Sequence, residues 1–262
     1  MKFFKQTKTA ILSMVAITSL ALLLTGCTSS NTSKEAPQKV LKVGSETTFP
    51  PFEFTENDKY VGFDIDLSEA IAKQMGYKME FKSMGFDALI PALRAGDIDM
   101  IAAGLDPTEE RKKVVNFSDV YFENNGFALI VHKNNDSIKK YADLEGKKIG
   151  AQIGTSPVDI AKAIPNTTTK EVDSNSQLFM ELTTGTVDAV ILDNAVAMYY
   201  LKQGADKDLK IVDLKKDGPG MALAVSKEKP ELLKEVNKAL AELKKNGEYD
   251  KIYKKWFGNT GK

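Results

Sequence analysis

Apolar residues recur along this chain in short strand-like runs, separated by longer segments in which they repeat every three or four positions. Val40 to Gly44 alternates as a strand. From Asp64 onward, Ile65, Leu67, Ala70, Ile71 and Met75 share one side of a predicted helix that Gly76 ends. Tyr77 to Phe81 alternates again. Phe86 to Ala95 predicts a second helix, stopped by Gly96, with Pro91 near its start or at a kink; Asp97 to Ala103 predicts the next strand. Between the first strand and the first helix, Ser45 to Phe54 carries two adjacent prolines and three phenylalanines. It reads as an extended loop whose rings either plug the core or wall a pocket. Strand and helix in alternation predict an α/β fold with a parallel sheet and helices on its faces. In such sheets, ligands bind beyond the carboxyl ends of the strands.

Asn116 to Asn125 breaks that rhythm. Phe127 to Val131 and Lys147 to Ala151 predict two further strands. The second leads through Gln152-Ile-Gly-Thr-Ser-Pro-Val-Asp into a helix, with Ser156 as the cap, Pro157 at the first position and Asp159 at the third. Gly154 allows close backbone approach to a ligand. Lys170 to Val172 is a short strand, Ser176 to Thr183 a helix, and Val187 to Leu192 an apolar strand closed by Asp193 and followed by the helix Ala195 to Leu201. Gly218-Pro219-Gly220 is a second break, after which come the strand Met221 to Val225 and a long amphipathic helix from Pro230 to Asn246. Tyr249 to Phe257 adds a last helical turn or two, with Tyr253, Trp256 and Phe257 expected against a lobe. The breaks near Val120 and Gly218 bound a middle segment of about a hundred residues, a normal domain size. Inserted into an outer domain, it gives two chain crossings that act as a hinge. This assigns 39–121 and 221–262 to lobe 1 and 122–220 to lobe 2.

The stretch from Ala102 to Ser118 concentrates the candidate chemistry. Asp106 can cap a helix with Pro107 at its first position and Glu109 three residues on. A strand running into a helix N-terminus leaves N–H groups that favour anions. Arg111 and Arg94 are the only arginines among 36 basic side chains. An arginine in a chain that otherwise uses lysine suggests the planar fork that grips a carboxylate bidentately; the alternative is a surface residue beside a simple cap. Asp193 ends a strand where a ligand contact belongs, or it caps the helix that follows. Glu46 and Phe49 follow one strand end, Asp106 and Arg111 another, so they can converge on one crevice.

Composition narrows the classes. The 262 residues are 42% apolar and 27% charged, with zero formal net charge, ordinary for a soluble globular protein. The three charges of the first 27 residues are all Lys, and the remainder holds 36 acidic against 33 basic groups. That gives no basic face for nucleic acid. One Cys excludes an internal disulfide. One His, His132 in a strand-like run, argues against zinc and against Ser-His-Asp or Cys-His catalysis. No metal or cofactor is expected. Lys2, Lys5 and Lys8 precede an apolar run from Ala10 to Leu24, the pattern of an export signal and short for a membrane span. Residues 28–38 cannot build a core and read as a flexible tether.

Several motifs resemble the extracellular solute-binding proteins (family 3) of polar amino-acid ABC transporters, across nearly all of Val40 to Gly258. They are Thr-Thr-Phe-Pro-Pro-Phe-Glu-Phe at Thr47, Gly-Phe-Asp-Ile-Asp-Leu at Gly62, Phe-Asp-Ala-Leu-Ile-Pro-Ala-Leu at Phe86, Thr-Glu-Glu-Arg-Lys-Lys at Thr108, Asn-Gly-Glu-Tyr at Asn246 and Ile-Tyr-Lys-Lys-Trp-Phe-Gly at Ile252. Leu-Leu-Thr-Gly-Cys ending at Cys27 resembles a bacterial lipobox, which implies a lipoprotein signal peptide over 1–26, a tether over 27–38 and acylation of Cys27. The resemblance implies a periplasmic-binding-protein-like type II fold, two αβ lobes joined by a two-strand hinge. It further implies that Arg111 holds a ligand α-carboxylate, helped by N–H groups near Asp106 and at Thr155 and Ser156 and by the Thr155 hydroxyl. Asp193 and the Gly104 carbonyl would hold the α-ammonium, Phe49 and Phe86 would sandwich the side chain, and Glu46 and Gln152 would reach its polar end. Glu46 and Asp106 stand where a glutamine binder commonly has Asp and Thr or Ser. An unpaired buried carboxylate costs several kcal/mol, so the extra carboxylates lean toward arginine, lysine or ornithine if Asp106 points inward. If Asp106 only caps its helix, glutamine or cystine returns.

The expectation is therefore an exported monomer, lipid-anchored to the outer face of the cell membrane, that binds one amino acid at about micromolar affinity, roughly −8 kcal/mol, and delivers it to an ABC permease. Two alternatives come from other classes. Some dehydratases resemble the same fold and need a general acid, for which Glu46 and Asp106 are the candidates. A receptor sensor domain would need a separate signalling partner.

Overall fold

A computed structural model of the chain describes residues 38–123, 125–216, 218 and 220–258. Cys27, the signal segment and the tether lie outside the described residues. In chain order the first part is β1 (Val40–Ser45), β2 (Thr48–Phe49), β3 (Glu53–Glu56), β4 (Lys59–Val61), α1 (Phe63–Gln74), β5 (Lys78–Ser83), α2 (Phe86–Ala95), β6 (Met100–Ile101), α3 (Glu109–Lys112) and β7 (Val115–Phe122). The second is β8 (Phe127–His132), β9 (Lys148–Gln152), α4 (Ser156–Lys162), β10 (Thr168–Val172), α5 (Asn175–Thr183), β11 (Ala189–Asp193), α6 (Asn194–Lys202) and β12 (Leu209–Lys215). The chain then returns through β13 (Met221–Ser226), α7 (Pro230–Lys245) and α8 (Glu248–Phe257).

Two five-stranded sheets result, ordered β5-β1-β6-β13-β7 and β10-β9-β11-β8-β12, with β2, β3 and β4 forming a small third sheet. The chain crosses between the large sheets after β7 and again before β13, which gives two αβ lobes. The pairs β1–β5, β1–β6, β9–β10 and β9–β11 are parallel, as the strand–helix alternation requires. The strands next to the crossings pair antiparallel: β13 with β6 and β7, and β8 with β11 and β12. Each large sheet is therefore mixed rather than wholly parallel.

The structure corrects several sequence expectations. The break over 116–125 contains β7, which pairs with β13 from the far end of the chain. The loop after β1 contains β2 and β3, with Phe52 fully buried beneath it. The strand expected over 97–103 is ordered as β6 only at Met100–Ile101. Pro91 lies inside α2 on its exposed side, where the carbonyl left without a partner is open to water. Among the described residues no helix is long and apolar enough to cross a membrane.

Aromatic rings hold the C-terminal helix on lobe 1. Phe257 packs 5.3 Å from Phe52, 5.3 Å from Phe63 and 4.9 Å from Phe122. The Trp256 indole and the Lys255 ammonium both reach Asp66 Oδ2 at 2.7 Å. Gly62 fixes the start of α1: its φ is +138°, and the next two amides donate to Pro51 O and Phe52 O. A Cβ on Gly62 would stand 2.0 Å from the Phe52 carbonyl oxygen. Gly62→Ala combines that backbone clash with a left-handed φ, and is expected to lower unfolding stability on the order of 3 kcal/mol in urea denaturation; an unchanged midpoint would show that the turn can relax.

Candidate functional site

The carboxyl ends of strands from both sheets meet in one place. Glu46 follows β1, Gly104 and Asp106 follow β6, Gln152 ends β9 and Asp193 ends β11. With Phe49, Phe86, Arg111, Thr155 and Ser156 they line a single cavity, joined by Glu53, Ala103 and Pro157. All ten sequence-nominated cleft residues therefore come together.

Arg111 spans the cleft. Its Nη1 donates to Asp106 O at 2.9 Å in lobe 1 and its Nη2 to Gly154 O at 2.8 Å in lobe 2. The guanidinium carbon sits 5.4 Å from the Phe86 ring centre, within cation–π range. Burial pulls the guanidinium pKa down, and the carboxylates of Asp106, Asp159 and Asp193 oppose that shift. Arginine nonetheless stays charged in proteins.

Asp106 is not the helix cap. Thr108 occupies that position, its Oγ1 accepting from the Arg111 amide at 3.3 Å. This frees Asp106 to turn into the cleft, where it is buried and its Oδ2 accepts from Ser156 Oγ of the other lobe at 2.7 Å. Ser156 is likewise not a cap. Thr155 holds the cap position of α4 without a side-chain capping bond, and its hydroxyl donates to Gln152 O at 2.6 Å. Asp193 stands at the cap position of α6, and its side chain makes no capping bond there; it is buried on the cavity wall. Gln152 is gripped from within lobe 2, with Nε2 donating to Asp173 O and Oε1 accepting from Asn175 Nδ2.

Glu46 is buried, and burial raises its pKa against the lowering effect of Thr48. Its two oxygens accept from the Thr48 hydroxyl at 2.8 Å and the Thr48 amide at 3.1 Å. Thr48 Oγ1 also accepts from the Asn175 amide of lobe 2 at 3.0 Å, and the Tyr200 hydroxyl approaches the Thr48 carbonyl at 3.4 Å. Gly104 has φ +56°, and a Cβ there would lie 2.5 Å from the Phe49 ring. The glycine thus lets that ring lie flat on the backbone. Its amide donates to Asp64 Oδ2 at 3.0 Å.

Sequence reasoning missed Thr48, Glu53, Asp64 and Tyr121. Thr48 and Glu53 flank the Pro-Pro pair and Asp64 lies in the Gly-Phe-Asp motif; burial marks Glu53 and Asp64, and the bonds to Glu46 and Asn175 mark Thr48. The cavity has a volume of about 20 Å³, close to the room one water needs. Anything larger enters only if the lobes part and the Arg111–Gly154, Ser156–Asp106, Asn175–Thr48 and Tyr200–Thr48 bonds open. Thr48→Val, close in shape, strips one bond from Glu46 and leaves the Asn175 amide without its partner. It is expected to cost about 1–3 kcal/mol in urea denaturation, and an unaltered stability would remove Thr48 from the interlobe contact.

Comparison with known proteins follows the same lines. A family model for bacterial extracellular solute-binding proteins, family 3, matches residues 41–259. The arginine-binding extracellular protein ArtP of Bacillus subtilis (strain 168) is 40% identical over 242 residues, covering 91% of this chain and 94% of that protein. A solved ancestral arginine-binding protein bound to arginine is 53% identical with a TM-score of 0.80, covering 84% of this chain and 99% of that one. A structure of an ancestral arginine-binding protein bound to glutamine is 51% identical with a TM-score of 0.79, covering 85% and 99%.

Proposed function

This chain belongs to the bacterial extracellular solute-binding proteins, family 3, and on that premise we propose that its cleft takes a free basic amino acid, arginine, lysine or ornithine, and delivers it to an ABC-importer permease. Its fold is the two-lobed type II arrangement of the solved relatives. The observation that carries the reading is the charge set of the cleft: Glu46, Asp106 and Asp193 line one cavity with Arg111. A zwitterion adds no net charge to that set, whereas a basic side chain adds one positive charge.

Arg111 takes the α-carboxylate. Its two guanidinium bonds now go to neutral carbonyls; a carboxylate adds full ion pairing and bidentate geometry, so it displaces them. The amides near Asp106 and at Thr155 and Ser156 assist, with the Thr155 hydroxyl turning from Gln152. Asp193 and the Gly104 carbonyl take the α-ammonium, Phe49 and Phe86 flank the side chain, and Glu46 with Gln152 meets its cationic end. ArtP's name and the arginine-bound ancestral structure support arginine. The glutamine-bound structure and the Ser156 bond to Asp106 favour glutamine as the second reading.

The sheets support residues 39–121 with 221–262 as one lobe and 122–220 as the other. We assign residues 1–26 as a lipoprotein signal peptide, Cys27 as the lipid attachment that holds the protein on the outer face of the membrane, and the working form as a monomer. The matched relatives are binding proteins, and the cleft is taken as a binding site rather than an active site.

Calorimetric titration with the twenty amino acids, ornithine and cystine tests the ligand, and tightest binding of a neutral one would overturn the basic reading. Arg111→Lys is expected to weaken every L-amino acid by about a hundredfold, roughly 2.7 kcal/mol, and retained affinity would remove its carboxylate role. Glu46→Gln is expected to weaken a basic ligand at least about tenfold more than glutamine; equal losses would detach Glu46 from the side-chain charge.

A further inference from the structure

Beneath the cleft three oxygens are buried without an N–H or O–H donor among the described residues: both carboxyl oxygens of Glu53 and Oδ1 of Asp64. Both residues are fully buried. The turn at Gly62 brings them together, because the Asp64 amide donates to Phe52 O, one residue before Glu53. The two side chains are in hydrogen-bonding reach of each other. Asp64 Oδ2 is fully engaged, accepting from the Gly104 amide at 3.0 Å and the Tyr121 hydroxyl at 2.5 Å. The titratable groups that face the pair are Glu46 after β1, Asp193 at the end of β11, Tyr121 in β7 and Tyr249 in α8. All of these are acidic, and the one cation on the cavity wall that Glu53 shares is Arg111.

Two fully buried carboxylates in contact cannot both ionise. A single proton carried by Glu53 and donated to Asp64 supplies the missing donor and leaves Asp64 ionised on the Gly104 amide. We propose that Glu53 and Asp64 share one proton and act as a positioning pair, fixing the Gly104 backbone so that its carbonyl faces the ligand ammonium. The shared proton stands on the burial and contacts alone; the positioning role rests on the reading of the cleft as an amino-acid site.

The direction of the titration follows. Burial raises Glu53 well above the usual carboxylate range, and burial raises Asp64 to about 6 against the bonds from Tyr121 and Gly104. A raised carboxyl takes its proton as pH falls through that value. Below about pH 6 the pair therefore becomes doubly protonated, Asp64 loses its charge, its hold on Gly104 weakens, and affinity falls.

Two measurements test the halves separately. Infrared spectra of the protein at neutral pH should show the carbonyl stretch of a buried protonated carboxylic acid, missing in Glu53→Gln; its absence from the wild type overturns the shared proton. Calorimetry of Asp64→Asn with L-arginine and with the analogue lacking the α-amino group should show about a tenfold loss for arginine and little for the analogue. Equal losses would reduce Asp64 to a structural role and overturn the positioning. Should Asp64→Asn not fold, Tyr121→Phe removes one donor from ionised Asp64 and should move the acid limb to higher pH; an unmoved limb overturns the role. A wild type that binds no amino acid would sink the ligand reading and leave the infrared result standing.

Discussion

The guanidinium of Arg111 is the one cation among the residues lining a cavity that also holds the carboxyl groups of Glu46, Glu53, Asp106 and Asp193. Charges withdrawn from water must be paired or neutralised, and the cleft shows both solutions. Arg111 balances the carboxylates electrostatically and joins the lobes through two backbone carbonyls. Glu53, fully buried among acidic groups, is pushed toward its neutral form. Lysine could not replace the arginine. A point charge with three rotating donors cannot face two carbonyls in opposite lobes while lying over Phe86.

What the sequence revealed and what it concealed divide by range. Helices with a glycine just past the end, such as Phe86–Ala95 before Gly96, have boundaries set by a few neighbouring residues, and these were legible. β7 was not. Its alternation is interrupted by the adjacent polar pair Ser118-Asp119, and its order comes from β13, about a hundred residues on. The same holds at the caps. Asp106 and Ser156 both have the right chemistry for a local capping bond. Each instead takes the other as partner across the cleft, and Thr108 and Thr155 stand in the vacated positions. Local propensity names the residues able to cap, and tertiary contact decides which of them do.

The cleft itself was largely legible because its members sit at strand ends, where an α/β sheet gathers them whatever the ligand. Thr48, Glu53 and Asp64 escaped for a different reason. Thr48 lies in the two-residue strand β2 and Asp64 at a helix start, where polar residues are commonplace. What sets them apart is tertiary, the burial of Glu53 and Asp64 and the interlobe bond of Thr48, which no local pattern encodes.

Closure has a thermodynamic consequence. Polar contacts across the cleft, among them Arg111 to Gly154, Ser156 to Asp106, Asn175 to Thr48 and the longer Tyr200 to Thr48, each contribute about 0.5–1.5 kcal/mol net, more where a charge is involved, and all must break for the lobes to part. A ligand shifts the open–closed balance only by binding the two forms differently. A zwitterion does so by exchange rather than addition. On the proposed reading, its carboxylate takes the place of two neutral carbonyls on Arg111, turning neutral-acceptor bonds into charge-paired ones. Its ammonium enters a cluster of carboxylates that repel one another while the cavity lacks a second cation. The gain therefore arises in the closed form, where water is excluded and both lobes contribute, and scarcely at all in the open form, where one lobe acts alone in high dielectric. The arginine bonded to both lobes is thus a closing contact, and on the proposed reading it is also the reason that an amino acid strengthens closure.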